Sequence, residues 1–121
     1  MTRLRITTDD INRSRILPND WYPCEIIEVE EKSAKTDGSL LWVLTFRVIS
    51  GEYQGAYLYH NISEKAPGFA IPLFEVFEGV GNVAEGDYDP MNLKGKKLLV
   101  ASSQQLYNGN MKNTVTGFRA L

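Results

Sequence analysis

Arg47, Tyr57 and Tyr59 stand at alternating positions in two segments that read as β-strands, residues 40–49 and 57–62. Alternation along a strand puts every second side chain on one face. In the first segment Trp42, Leu44, Phe46 and Val48 make a wholly apolar face. Val43, Thr45, Arg47 and Ile49 make the other. Leu58 and Ile62 continue the apolar face, which leaves Tyr57, Tyr59 and Asn61 beside Thr45 and Arg47. Aromatic rings on an exposed sheet stack on bases of any identity, and a neighbouring cation meets phosphate. Lys32 and Lys35 in the polar stretch 32–39, and Tyr107 and Lys112 around the Asn108-Gly109 turn, would extend such a surface. The competing reading is that tyrosines are simply good strand residues with a wet hydroxyl end.

Other residues mimic catalytic constellations. Asp20 with Glu30-Glu31-Lys32 has the D…E-x-K form of metal-dependent nucleases, where carboxylates hold Mg²⁺ and lysine assists water. That spacing arises easily by chance, and the glutamates equally form the wet face of a strand. Asp87 and Asp89 lie beside Gly86 and Pro90, which favours a turn. His60 is the sole histidine, and the sequence places no Ser or Cys partner for it. Gly95-Lys96-Lys97 lacks the remaining residues of a phosphate-binding loop. These observations lead to an expectation of no enzyme activity, no cofactor and no metal site.

The elements that must position the aromatic face follow from periodicity. Residues 21–31 read as a first strand, with Ile27 and Val29 alternating with Glu28 and Glu30, and residues 40–49 and 57–62 as the second and third. Phe69, Leu73, Val76, Phe77 and Val80 recur at helical spacing after a cap at Ser63 and a first-turn Pro67. Pro72 delays or kinks that helix, and Gly79 ends it. Residues 98–107 and 111–118 form the last two strands around Asn108-Gly109, the strongest hairpin signal present. The order strand, strand, strand, helix, strand, strand predicts an all-β, five-stranded OB barrel with one helix. Trp42, Leu44, Phe46, Val48, Leu58, Phe77, Val100 and Val115 are its expected core. Residues 1–19 read as an N-terminal arm with a short helical turn near Ile11–Ile16, and residues 20–121 as the domain. Arg3, Arg5, Arg13 and Arg15 give that arm groups able to touch phosphate.

The 121 residues suit one domain, and the net charge of −2 announces no global basic field. Charge is nonetheless segregated. Residues 66–89 carry five acids and no base, and residues 90–121 five bases and no acid. The single Cys24 excludes an internal disulfide and suits a reducing compartment. No apolar run approaches a membrane span and no secretory signal is visible, so a cytoplasmic protein is expected.

The stretch Trp21-Tyr22-Pro23-Cys24-Glu25-Ile26, followed by Val43-Leu44-Thr45-Phe46-Arg47-Val48, Gly51-Glu52-Tyr53-Gln54-Gly55 and Leu93-Lys94-Gly95-Lys96-Lys97, resembles a phage-encoded family of small proteins catalogued as a domain of unknown function. Its members tend to be encoded among replication and recombination genes and are regarded as single-stranded-DNA-binding proteins. The resemblance covers most of residues 20–118. It implies single-stranded DNA as the partner, bound without sequence preference in the host cytoplasm, with phage replication or recombination proteins as further partners. The C-terminus, Thr116 to Leu121, lacks the acidic tail of bacterial single-strand-binding proteins. An OB domain that binds another protein, such as a recombinase or an inhibited nuclease, is the alternative function. A homo-oligomer through exposed strand edges is also expected.

Overall fold

The computed structural model describes residues 2–121. Five strands, β1 (Asp20–Ser33), β2 (Leu40–Val48), β3 (Tyr57–Ser63), β4 (Lys97–Tyr107) and β5 (Asn110–Arg119), form one antiparallel sheet in the order β3-β2-β1-β4-β5. Two short helices accompany it, α1 (Thr8–Ser14) and α2 (Ile71–Glu78), with single 3₁₀ turns at Pro67–Ala70 and Pro90–Leu93. The edge strands β3 and β5 approach each other on the inner side of the sheet. There the His60 ring meets Phe118 edge-on with centroids 5.3 Å apart.

Leu44, Phe46, Val48, Leu58, Val100 and Val115 are buried, as the alternation predicts. Trp42 and Phe77 are only half-buried. Trp42 lines an open cleft beside α2, and Phe77 lies on α2 itself with the Lys96 ammonium 5.1 Å from its ring centroid. On β1 the expected alternation of Ile27 and Val29 fails for a physical reason. A bulge lies between Ile26 and Glu28, so Ile26 opposes Phe46 and Glu28 opposes Thr45. The extra residue reverses parity, burying Tyr22, Cys24 and Ile26 before it and Val29 after it. The Cys24 thiol is pushed up to about 12 by burial, which keeps it protonated and unreactive.

α2 begins at Ile71, so Pro72 falls in its first turn, where the missing N–H costs nothing. Ser63 is the last residue of β3 rather than a helix cap; its hydroxyl accepts from the Lys65 N–H. The hairpin is tight, with Asn108 and Gly109 both at positive φ between Tyr107 and Asn110.

The N-terminal helix spans Thr8–Ser14 rather than residues 11–16. Thr7 and Asp10 build a reciprocal capping box: the Thr7 side chain accepts from the Asp10 N–H, and the Asp10 carboxylate accepts from the Thr7 N–H. Downstream of it, Leu17 is 0% exposed and belongs to the core. The Asn113 amide grips its backbone from both sides, Oδ1 accepting from the Leu17 N–H and Nδ2 donating to its carbonyl, each at 2.8 Å. Arg15 donates to the carbonyls of Glu52 and Gln54. Residues 13–17 are thus tied both to the β2–β3 side and to β5.

Candidate nucleic-acid interface

The register places the sequence-predicted face as expected on β2 and β3: Arg47 opposes Tyr57, Thr45 opposes Tyr59 and Val43 opposes Asn61. The other neighbour of β2 changes the electrostatics. On β1, Glu25, Glu28 and Glu30 oppose Arg47, Thr45 and Val43. In-register partners share a face. A row of three carboxylates therefore borders the β2 side of the tyrosines and repels phosphate there. Thr45, expected to point outward, is buried between its neighbours Tyr59 and Glu28.

On the opposite side, towards β5, the groups favour an anion. A cleft of about 480 Å³ lies between the edge strands and is lined by Tyr59, His60, Asn61, Tyr107, Lys112 and Asn113. It runs next to a smaller depression lined by Arg13, Arg15, Tyr57, Tyr59 and Lys112. Tyr59 and Tyr107 are exposed, and the Lys112 ammonium stands 5.1 Å above the Tyr107 ring. Four of the seven sequence-predicted residues (Tyr57, Tyr59, Tyr107 and Lys112) therefore line these two adjoining hollows, Tyr59 and Lys112 lining both. Arg47 lies beside Tyr57 in a separate shallow depression with Asn12. Lys32 and Lys35 line none of these hollows; Lys32 sits 3.7 Å from Glu30 in an exposed pair.

Arg13 and Arg15 are the additions made by tertiary structure. α1 lies against the outer face of β3, where the Tyr57 hydroxyl donates to Asp9 Oδ1 at 2.7 Å. The Arg13 guanidinium sits 5.1 Å above the Tyr57 ring, donates to the Tyr59 hydroxyl at 3.3 Å and pairs with Asp9 at 2.7 Å. The Tyr57 hydrogen bond, followed by Arg13, holds the Asp9 carboxyl below its ordinary range, and the same bond raises the Tyr57 hydroxyl. Tyr57 is thereby engaged by α1 through both its hydroxyl and its ring, whereas Tyr59, held only at its hydroxyl, and Tyr107 remain exposed. Arginines at positions 13 and 15 are visible in the sequence. What it lacks is the docking of their helix.

His60 points into the sheet's inner side, and burial pushes it below its ordinary 6.5. The folded state prefers the neutral ring while the unfolded chain takes a proton near pH 6.5. Below that pH the unfolded state binds more protons, so stability falls with falling pH. Thermal unfolding is expected to be insensitive to His60 above about pH 6.5 and to shift to lower temperature towards pH 5. His60→Gln should flatten that limb. Asp9, Asp10 and Asp37, all held below 3.8, titrate in a lower window and leave it uncontaminated.

The nuclease-like constellation is not assembled. Asp20 opens β1 and Glu30 lies ten residues further along the same strand, roughly 30 Å away at ordinary strand rise. One ion cannot bridge them. Among the described residues no group of three His, Cys, Asp or Glu side chains is placed to hold a metal, and no helix is long and apolar enough to cross a membrane. No protein-family model matches the chain, and no curated protein matches it.

Proposed function

We propose that this chain is a five-stranded OB-type barrel that binds single-stranded DNA without sequence preference, as a component of phage replication or recombination in the host cytoplasm. The five-stranded antiparallel sheet in the order β3-β2-β1-β4-β5, with its edge strands β3 and β5 near each other, supports the barrel reading. One observation carries the binding reading. Exposed Tyr59 and Tyr107 line a cleft with Lys112, and the depression beside it, which shares Tyr59 and Lys112, adds Arg13 and Arg15. Rings supply sequence-tolerant stacking and the cations follow the backbone. The glutamate row on β1 directs the strand along the β3–β5 groove rather than across β2.

The test is titration of a fluorescent poly-dT oligonucleotide over a range of salt. Three to four phosphate contacts give a log–log slope of roughly −2 to −3 on single strands. Absence of binding at micromolar protein and low salt overturns the reading. The second reading, a protein-interaction domain, is favoured by a different surface: the apolar, acid-rimmed cleft beside α2.

A further inference from the structure

We propose that this acid-rimmed cleft receives the N-terminal segment of a second copy of the chain, with Leu4 and Ile6 as apolar anchors and Arg3 and Arg5 against its carboxylates. The cleft holds about 570 Å³ between the β2–β3 end and the loop that follows α2. Trp42, Ile71, Phe74 and Tyr88 form its apolar wall, the last two with ring centroids 5.1 Å apart. Glu64, Glu85 and Asp87 also line it, and among the described residues none of the three forms an ion pair. The Trp42 indole N–H is buried and has no hydrogen-bond partner.

Arg3-Leu4-Arg5-Ile6 has the matching chemistry. These residues lie outside any regular element, with Leu4 87% and Ile6 64% exposed. In an extended chain Leu4 and Ile6 share one side and the two arginines the other. Two apolar side chains face an apolar wall while two guanidiniums reach carboxylates at the rim. The anchors stay exposed in the single chain and its cleft stays open, so the occupant comes from another molecule. The contact does not depend on nucleic acid and is measured without it.

Sedimentation velocity across a protein dilution series at about 50 mM salt, where exposed ion pairs are weakly screened, reads the association. A short-segment interface of this kind predicts a Kd on the order of 10–100 µM. Two charge-reversed proteins, Arg3→Glu/Arg5→Glu and Glu85→Lys/Asp87→Lys, should each be monomeric at concentrations where the parent associates. All four side chains are exposed, so the fold is retained. Mixing the two variants should restore association, because each arm then meets a cleft of opposite charge. Leu4→Asp/Ile6→Asp should abolish it without rescue. A parent that stays monomeric throughout the series overturns the proposal. So does association that survives Leu4→Asp/Ile6→Asp. If the parent is monomeric but Trp42 emission responds to the arm variants, the segment occupies its own cleft, which also overturns exchange between copies.

Discussion

Phe46→Ala is expected to lower the free energy of unfolding by about 3–5 kcal/mol. Phe46 is 0% exposed and lies on β2, which is paired on both sides. Its in-register neighbours are Ile26 on β1 and Leu58 on β3, both buried, and its ring centroid is 6.0 Å from that of Phe118. The two flanking ladders hold the backbone in place, so the void cannot close and the full cavity penalty remains. Domains of this size have only about 5–15 kcal/mol in total, so the variant should be partly unfolded near physiological temperature. Urea unfolding reads this as a lower midpoint at unchanged slope. Phe46→Leu, which keeps most of the volume, should cost far less. A loss under about 1 kcal/mol for the alanine variant would mean that the sheet does not enclose this side chain as described.

Tyr59→Ala and Tyr107→Ala are each expected to weaken poly-dT binding by about 1–3 kcal/mol, roughly five- to 150-fold, with the unfolding temperature nearly unchanged. Both rings are exposed, so their removal opens no cavity. Tyr57→Ala is a less clean experiment. Its hydroxyl holds Asp9 and its ring supports Arg13, so the change also loosens α1. Lys112→Ala should flatten the salt slope by about 0.7, the share of one phosphate contact on a single strand. Asp9→Asn should strengthen binding, since it removes a carboxylate held beside the groove while Arg13 remains. If Tyr59→Ala and Tyr107→Ala both bind as the parent does, the groove between β3 and β5 is not the path of the strand.

The expectation that four tyrosine and lysine positions share a surface rests on alternation and a hairpin turn, both local properties. Residues 40–49 have a period of two and one apolar face, so the inward direction of Phe46 and Leu44 is fixed before any partner is known. Asn108-Gly109 likewise specifies its own turn, because both residues tolerate positive φ. The capping box at Thr7 and Asp10 spans a Thr-Thr-Asp-Asp stretch that suits a turn as well as a helix start, so the pattern alone does not decide between them. Element order alone restricts the chain to a mostly β architecture with a helix between the third and fourth strands.

Register and docking belong to the tertiary structure. A one-residue bulge after Ile26 decides which β1 side chains face inward, and hydrophobic alternation carries no mark of it. Only the pairing of β1 with β2 reveals that three glutamates border the tyrosine face. The long-range grip of Asn113 on Leu17, separated by 96 residues, has no local signature. It ties the segment after α1 to β5, while Asp9 and Arg13 hold the helix on β3. That contact turns two arginines of an apparent arm into the cations of the groove. Periodicity reports which side of an element is apolar, whereas the distance between two surface groups depends on how separate elements pack, and that follows from contacts remote in sequence.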